Sequence, residues 1–251
     1  MSKSRQFTPW SQANAETLLD SYAERIREIM GIEPERKPTP EPALPAPIEQ
    51  PAPPPQQTVE KRQIISFGPY NWRVLDVQGG KALLITENVI EKNRPYHNKY
   101  VDITWENCTL RKYLNGEFLD RFSKYDQGRI LEVNNENKDN QWYKTDGGAP
   151  TRDKIFCLSI EECVKYFGDS GQLKNSSRRD AGEMFDEFNG NRMAKDGNKE
   201  SSAWWWLRSP GRYSTNAAYV YRDGSLSVRG RSVDSASEFG GVRPALWLNL
   251  G

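Results

Sequence analysis

The spacing of hydrophobic and polar positions changes twice along the chain, and the first pattern predicts a helix. From Ser11 to Met30, apolar side chains recur at helical intervals with charged side chains between them, which is typical of an amphipathic helix. Gly31 and the prolines after it end the pattern. The apolar positions are Leu18, Leu19, Tyr22, Ile26, Ile29 and Met30. Because a helix of this length is marginal alone in water, we expect residues 1–32 either to pack on their own domain or to form a docking or self-association segment.

The second pattern, in residues 33–59, is dominated by proline. Ten of the sixteen prolines of the chain lie between Glu33 and Gln57, with almost no bulky apolar residues among them. Such a segment cannot build a core and favours the extended polyproline II conformation. We therefore predict a semi-rigid linker.

In residues 60–251, short apolar runs are separated by Gly, Asn and Asp clusters, which indicates one α+β domain. The runs at 64–68, 72–77 and 81–85 predict strands. Gly79-Gly80 supplies a hairpin turn between the second and third of them. An antiparallel opening to the domain is therefore expected.

Two stretches of this domain have helical spacing and one has no regular spacing. Thr109 to Phe118 and Ser159 to Phe167 predict short helices. The second begins with a sequence that resembles a capping box, Ser159-Ile-Glu-Glu. Gly168 to Ser202 is polar and poor in residues that could anchor a core, so we expect long surface loops there.

Three consecutive tryptophans, Trp204 to Trp206, follow these loops. Neighbouring side chains of a strand point to opposite faces, so the run predicts a central strand packed on both faces. A carbohydrate-stacking platform is the alternative. Gly240 to Leu248 predicts a buried terminal strand.

Residues 216–233 alternate between apolar and polar types around Asp223-Gly224, a pair typical of a tight hairpin turn. Val220, Leu226 and Val228 are predicted to face inward. The residues predicted to face outward are Tyr219, Tyr221, Ser225, Ser227 and Arg229. Aromatic rings offer contact area at low entropic cost, and hydroxyls adapt their hydrogen bonds. The outward face is therefore a candidate ligand-binding surface, with an ordinary solvated hairpin as the alternative.

The composition of residues 212–240 is also unusual. Lys, Glu, Gln, Met and Trp make up 57 of the 251 residues, so roughly six or seven would be expected there, yet only Glu238 is found. Arginine occurs four times in the same stretch, which excludes a general avoidance of positive charge. The five depleted types are those that cannot arise when the first two bases of an asparagine codon are randomised.

Overall charge and reactive residues favour binding over catalysis. Lys and Arg total 35 against 34 Asp and Glu, so no net field attracts nucleic acid or an anionic membrane. Cys108, Cys157 and Cys163 are odd in number and lack metal-ligand spacing, so we expect neither a disulfide framework nor a metal or cofactor. His97 is the one histidine, and in a predicted loop it is more typical of a surface residue than of a general base.

The beginning of the sequence is polar and lacks the apolar core of a signal peptide. The sequence also contains no apolar run of the roughly 18 residues that a membrane span requires. We expect a protein that is cytoplasmic at synthesis. Association with a phage particle or export by a non-classical route leaves no such signature and stays open.

Four motifs carry a resemblance to known proteins. They are Phe67-Gly-Pro-Tyr-Asn-Trp-Arg-Val-Leu, Leu110-Arg-Lys-Tyr-Leu-Asn-Gly-Glu-Phe, Trp204-Trp-Trp-Leu-Arg-Ser-Pro-Gly and Gly240-Gly-Val-Arg-Pro-Ala-Leu-Trp-Leu. From about Ile64 to Leu250 the chain resembles a bacterial domain family of unknown function that is common in gut Firmicutes. Its C-terminal end is similar to the variable proteins of diversity-generating retroelements, which use a C-type lectin fold close to that of formylglycine-generating enzymes.

This resemblance implies a C-type lectin-like domain over 60–251 with a variable region at 209–246. In the resembling proteins a reverse transcriptase randomises adenines in a template copy, and the altered codons fall on a ligand-binding face. The positions of this sequence that correspond to such codons are Arg212, Tyr213, Asn216, Tyr219, Tyr221, Arg222, Ser227, Arg229, Arg231, Ser232, Asp234, Ser235 and Phe239.

We therefore expect a receptor-like protein with varied protein ligands, not an enzyme, and with neither nucleic acid nor membrane as a partner. A carbohydrate-binding lectin-like module is one alternative. A divergent or inactive relative of the formylglycine-generating enzymes is another, although no cysteine lies in the terminal region where the resemblance would place the reactive pair. A third alternative is a structural module whose Ser11–Met30 helix docks on a larger assembly.

Overall fold

The computed structural model describes residues 12–31, 59–175, 182–197 and 199–251. The chain divides into two compact units, Met1–Pro51 and Ala52–Gly251. The predicted linker at 33–59 lies outside the described residues except for residue 59. Residues 60–251, predicted as one domain, fall within the second unit.

The predicted N-terminal helix is present as α1, Gln12–Met30. Gly31 follows it with a positive φ of 63°, a backbone conformation that glycine adopts without strain. The apolar side chains on the C-terminal half of α1 are largely exposed. The helix is therefore confirmed, whereas the surface that covers its apolar side stays a prediction.

The second unit is mixed α+β, as expected. Its helices are α2 (Thr109–Tyr113), α3 (Lys124–Arg129), α4 (Ile160–Phe167), α5 (Gln172–Asn175) and α6 (Asn189–Arg192), with short 3-10 or π turns at Trp105–Asn107, Leu114–Phe118 and Leu119–Arg121. Its strands are β1 (Ile64–Phe67), β2 (Tyr70–Gln78), β3 (Lys81–Thr86), β4 (Glu91–Lys92), β5 (Ile130–Leu131), β6 (Val133–Asn135), β7 (Thr151–Asp153), β8 (Ile155–Phe156), β9 (Glu183–Met184), β10 (Ala194–Lys195), β11 (Ser202–Pro210), β12 (Asn216–Val220), β13 (Leu226–Ser232), β14 (Gly240–Val242) and β15 (Ala245–Asn249).

The first sheet contains the antiparallel opening that the sequence predicts. Its strand order is β1-β2-β3-β15-β5, and β8 also pairs with β15. Gly79 and Gly80 connect β2 to β3 with φ values of 53° and 75°, as a type I′ hairpin turn requires. β3 is buried from Ala82 to Thr86 because it lies between β2 and the C-terminal strand β15.

The second sheet carries the C-terminal stretch of interest. Its order is β4-β14-β11-β12-β13-β9, with β10 also on β11. The pair β11–β14 is parallel and the others are antiparallel. Trp204, Trp205 and Trp206 are each at most 2% exposed, which confirms the prediction of a central strand packed on both faces. A small two-stranded sheet, β6-β7, completes the strands described.

Both predicted domain helices form. α4 has the capping box, since the Ser159 hydroxyl accepts from the Glu162 amide and the Glu162 carboxylate accepts from the Ser159 amide. α2 ends earlier than predicted, at Tyr113, and the chain continues as a single π turn over Leu114–Phe118.

Two predictions about backbone regularity were wrong, one for Gly168–Ser202 and one for the terminal strand. The segment Gly168–Ser202 is not only surface loop, because it contributes α5, α6, β9 and β10 among its described residues. Arg192 of α6 is 1% exposed, and it is anchored by polar contacts that a search for apolar anchors misses.

The predicted terminal strand is divided in two. β14 joins the second sheet, whereas β15 joins the first. Arg243 and Pro244 form the crossing between them, and Pro244 has no amide hydrogen with which to continue a ladder. The Pro244 carbonyl instead accepts from the Thr86 amide at 2.9 Å.

Candidate binding surface

The hairpin formed by β12 and β13 brings most of the predicted ligand-binding residues to one part of the second sheet. Its turn is closed by hydrogen bonds from the Tyr221 amide to the Ser225 carbonyl, 2.7 Å, and from the Gly224 amide to the Tyr221 carbonyl, 3.0 Å. Gly224 has a φ of 82°, as the predicted Asp223-Gly224 turn requires. A Cβ at Gly224 would meet the Asn189 carbonyl oxygen at 1.9 Å, so the turn rests directly on α6.

The thirteen predicted residues differ in exposure. Those that are exposed are Arg212, Tyr213, Tyr221, Arg222, Arg229, Asp234 and Phe239. Those that are partly buried are Asn216, Tyr219, Arg231, Ser232 and Ser235. Ser227 is buried, at 4% exposed.

The outward orientation predicted for Ser225 and Ser227 was therefore wrong. Ser225 is 2% exposed. Ser227 lies directly across from Tyr219 in the β12–β13 register, while β9 covers the other edge of β13. Burial raises the pKa of the Tyr219 phenol, and the neighbouring Ser227 hydroxyl partly opposes the rise. Polarity alternates along β13, but burial does not alternate over Leu226 to Val228, which are all buried.

Aromatic and guanidinium groups form a connected surface that we call the aromatic patch, composed of Trp204, Tyr219, Tyr221, Arg222, Arg231 and Phe239. Tyr219 packs edge-on against Trp204, with ring centroids 5.8 Å apart, and against Tyr221 at 6.1 Å. The guanidinium of Arg222 lies 5.8 Å from the ring centroids of both Tyr221 and Phe239. Arg231 covers the Trp204 ring at 4.8 Å. The patch thus has a buried indole at its base and exposed rings at its rim.

The backbone of residues 209–246, the predicted variable region, is held by residues outside it. The Ile103 amide donates to the Ser214 carbonyl at 3.0 Å, and the His97 amide to the Val233 carbonyl at 2.8 Å. The Thr145 hydroxyl donates to the Arg212 carbonyl at 2.9 Å. Each of these bonds reaches a main-chain oxygen, so its formation does not depend on the side chain of the residue that accepts it.

The side-chain amide of Asn140 holds two further segments of this region, at Pro210 and at Val228. Asn140 is 2% exposed, and its Nδ2 donates to the carbonyls of Pro210 at 2.9 Å and Val228 at 2.8 Å. Its Oδ1 accepts from the Trp142 amide at 3.1 Å. Asn140 therefore ties β11 and β13 to the loop that precedes β7.

An open groove of about 580 Å³ adjoins the region. Arg212, Tyr213, Ser214 and Thr215 form one part of its lining, and the other part comes from residues outside the region. Those other residues are Tyr100, Asp102, Thr145 and Asp146. The Ser214 hydroxyl donates to the Asp102 carboxylate at 2.8 Å, which joins the two parts.

Sequence reasoning did not identify these four groove residues as part of the site. Tyr100 and Asp102 lie more than a hundred residues before Arg212 in the chain, and the spacing pattern around them contains no signal for the contact. The exposed aromatic ring of Tyr100, 63% exposed, becomes meaningful only because the fold places it beside Tyr213 in the same groove.

Residues considered for catalysis occupy unreactive environments. Cys108, Cys157 and Cys163 are buried and free. Burial raises the pKa of the Cys108 thiol to about 12, and it likewise raises that of Cys163 to about 12. The thiolate is the nucleophilic form, so these cysteines are poorly suited to attack a substrate.

His97 makes a hydrogen bond that supports the local fold. Its Nδ1 accepts from the Thr109 amide at 3.3 Å. Burial lowers its pKa, as do the nearby cations Lys112 and Lys99. The imidazole is therefore neutral near pH 7 and caps the start of α2.

Metal binding and membrane crossing find no support in the residues that the structure describes. Among them, no three or more His, Cys, Asp or Glu side chains gather into a group that could hold a metal ion. In the same part of the chain, no helix combines the length and the apolar character that a membrane span needs.

Comparison with known proteins gives one family match. Neither the curated proteins nor the solved structures include a match to this chain. A family model described as "Domain of unknown function (DUF6273)" matches residues 79–250, which include the first sheet from β3 onward and the whole candidate surface. The chain therefore belongs to this DUF6273 family.

Proposed function

We propose that this chain is a receptor-like binding protein, built on a C-type lectin-like fold, whose surface around β12 and β13 is diversified by a retroelement to bind varied protein ligands. Two largely antiparallel sheets with short helices agree with the fold that the sequence resemblance implies. The depletion of five residue types between residues 212 and 240 agrees with codon randomisation.

The main support for the proposal is a difference between main chain and side chains. Hydrogen bonds from outside the region hold its main chain, whereas several of its side chains remain exposed. Bonds from His97, Ile103, Asn140 and Thr145 reach main-chain oxygens of the variable region, while side chains such as Tyr213 and Phe239 remain 57% and 64% exposed. A loop held in this way keeps its conformation when its side chains change, which is what a diversified binding surface requires.

The chemistry of the aromatic patch suits protein recognition. Tyrosine and arginine are enriched among the residues that dominate binding energy in protein interfaces. Tyr221 and Phe239 offer rings that are already held by Arg222, so little side-chain freedom remains to be lost on binding. The open groove lined by Arg212 to Thr215 adds further surface of the same region that a protein ligand would contact.

The decisive test of diversification is made on DNA. We expect a near-copy of the codons for Ser209 to Leu246 close to this gene, differing from it only at adenines and accompanied by a reverse-transcriptase gene. Sister copies of the gene should differ at codons of exposed residues such as Phe239. Neighbouring DNA without a template copy would contradict the retroelement part of the proposal.

Ligand binding needs a separate test at the protein level. The full chain and a Tyr219→Ala/Tyr221→Ala variant are used to capture partners from a lysate, with Tyr125→Ala as the control because Tyr125 is also exposed, at 66%, but lies outside the surface. A protein ligand that the parent and control retain, and that the double variant loses at least about tenfold, supports the proposal. Equal retention by all three contradicts it, and selective binding on a glycan array would favour the carbohydrate alternative.

We also propose that α1 associates with α1 of a second copy. Leu19, Tyr22, Ile26 and Ile29 follow one another at intervals of three, four and three residues, the a and d spacing of a coiled coil. They are between 55% and 82% exposed. Because this seam carries no charge, the surface that complements it is another apolar seam with the same spacing, and α1 itself provides one.

The size of the full chain in solution tests this association. A Leu19→Gln/Ile26→Gln variant should sediment as a monomer, whereas the parent and a Glu24→Gln/Arg27→Gln control, altered on the polar side of α1, should sediment as oligomers. A monomeric parent at about 0.1 mM, or a seam variant that still assembles, would show that α1 is not the self-association surface.

A further inference from the structure

A second concave site lies outside the variable region, and we call it the basic cavity. It has a volume of about 300 Å³ and is lined by side chains that include Lys61, Arg62, Arg73, Asp76, Lys165 and Asn191. They come from the chain before β1, from β2, from the end of α4 and from α6. Four cations therefore surround one carboxylate, in a chain whose net charge is only +1.

Internal ion pairs compensate only part of this charge. Lys61 lies 2.6 Å from the carboxylate of Asp76. Arg73 donates through Nε to Glu87 at 2.7 Å and also contacts it through Nη2. Within the described part of the chain, Arg62 and Lys165 form no ion pair. Two of the four cations that line the cavity, Arg62 and Lys165, therefore have no carboxylate partner in the described part of the chain.

A fifth cation lies behind the cavity wall. Arg243 is 0% exposed and stacks 5.4 Å from the ring centroid of Phe167, a residue that also lines the cavity. Its Nε donates to the Thr86 carbonyl at 2.8 Å. Its Nη1 has no hydrogen-bond partner among the described residues. Burial, followed by repulsion from Arg73, lowers the pKa of Arg243 to about 10.

We propose that the basic cavity binds a small dianion of the phosphate type, such as a phosphate monoester. Arg62 and Lys165 would contact the anion directly, and Arg73 would add to the field while remaining bonded to Glu87. Charge-assisted hydrogen bonds from arginine and lysine to phosphate oxygens are among the strongest polar contacts in proteins. The anion would also offset the repulsion between Arg73 and Arg243.

Neutral groups and size restrict the ligand further. The Asn191 amide lies at the cavity and donates one hydrogen to the Phe167 carbonyl at 2.9 Å, which leaves its second hydrogen for a ligand oxygen. A volume of about 300 Å³ is at the lower end for ligand sites, so it suits a phosphate group with a small organic part. The carbonyl end of α4 opposes an anion, whereas Arg62 and Lys165, the two lining cations without an ion pair, match a ligand with two negative charges.

The test uses inorganic phosphate as the probe and the full chain as the sample, at constant ionic strength. Isothermal titration calorimetry should show saturable binding at one site, and phosphate should raise the melting temperature as linkage requires. Arg62→Gln and Lys165→Gln should each weaken binding by about fivefold to tenfold, and the double variant should abolish it. Both side chains are exposed, so near-ultraviolet circular dichroism should show an unchanged fold.

Lys112→Gln is the matched control, because Lys112 is exposed and does not line the cavity. It should bind phosphate as the parent does. Absence of saturable binding, or equal binding by the parent and the double variant, would overturn the proposal. Succinate that binds as tightly as phosphate would overturn the assignment to the phosphate class. None of these results bears on the aromatic patch, so this inference and the proposed function fail independently.

Discussion

β11 and the hairpin of β12 and β13 lie side by side in one sheet, yet their exposure differs. β11 is buried at every residue from Ala203 to Pro210, whereas Tyr221, Arg222 and Arg229 of the hairpin region are exposed. On one face of β11, Trp205 packs against Phe167 and Arg243. On the other, Trp204 and Trp206 pack against Tyr219.

The difference shows that one sheet combines a buried strand with an exposed hairpin. β11 is covered on both faces and forms the buried floor, while the hairpin has one side at the surface of the described structure. Tyr219 lies at the boundary, since it is partly buried and contacts both regions. Substitutions in the two regions should therefore differ in their cost, from the largest at β11 to the smallest at the exposed rings.

Removal of the Trp205 side chain should destabilise the domain most. Trp205 is 0% exposed, and its Nε1 donates to the Arg192 carbonyl at 3.1 Å. Trp205→Ala should lower the free energy of unfolding by about 4 kcal/mol, from lost burial and the cavity left behind. Urea denaturation measures this loss, and a change below about 1 kcal/mol would contradict the role of β11 as the floor.

The ion pair of Asp186 and Arg192, which contacts the hairpin turn, should make the free energy of unfolding depend on pH. Both side chains are at most 5% exposed, and Arg192 Nε donates to the Gly224 carbonyl at 2.9 Å. Burial alone would raise the pKa of Asp186, but the hydrogen bonds from Arg192 and Ser170 outweigh it and hold the pKa below its ordinary value. Because the folded-state pKa is depressed, the stabilisation is complete above the ordinary carboxyl pKa of about 4 and is lost as pH falls below it.

Asp186→Asn should therefore cost about 3 kcal/mol near pH 7, since it leaves a buried guanidinium without its carboxylate. The gap between the parent and this variant should narrow as the pH is lowered from 5 toward 3, as measured by urea denaturation at each pH. A gap that stays constant over this range would show that the carboxylate charge does not contribute. Asp120→Asn is the control, because the Asp120 side chain is 72% exposed.

Substitutions at Ser227 and Arg229 should distinguish a buried position of the hairpin from an exposed one. Ser227→Tyr inserts a ring where 4% of the residue is exposed, and overpacking of this kind costs about 2 kcal/mol. Arg229→Tyr, at an exposed position of the same strand, should change stability by less than about 0.5 kcal/mol. Thermal unfolding compares the two, and equal losses would mean that β13 has no buried side.

The smallest effects are expected at two exposed rings, Phe239 at the rim of the aromatic patch and Tyr213 in the groove. Phe239→Ser and Tyr213→Ser should each change the free energy of unfolding by less than about 0.5 kcal/mol. Tyr219→Ser should cost about 1 kcal/mol or more, because its ring contacts Trp204 and Trp206. Chemical denaturation measures the loss of unfolding free energy in each of the three variants. If the Phe239 variant lost as much as the Tyr219 variant, Phe239 would belong to the core and not to the exposed rim.

Local sequence patterns predicted the elements that depend on local forces. The turn at Gly79-Gly80, the capping box at Ser159 and the turn at Asp223-Gly224 are all present. Each depends on contacts within a few residues, so the sequence contains the information needed to recognise it. The three tryptophans of β11 were predicted as core for a related reason, since such large apolar side chains are stabilised by burial.

Burial on β13 and the separation of β14 from β15 depended on distant partners. Ser227 is polar, but Tyr219 and β9 cover it. Pro244 interrupts the stretch that was predicted as one strand, and its two halves pair in different sheets. Periodicity describes which side chains share a face, but it contains no information about what lies against that face.

The sequence by itself determined that the chain has an amphipathic helix, an α+β domain, a buried tryptophan strand and a hairpin with a distinctive composition. Only the tertiary structure decided which hairpin side chains are exposed, that Tyr100 and Asp102 join the groove, and that four cations surround one cavity. The physical reason is the range of the interactions. Turns, caps and amphipathic spacing arise between residues close in sequence, whereas a surface is assembled from residues that only the folded chain brings together.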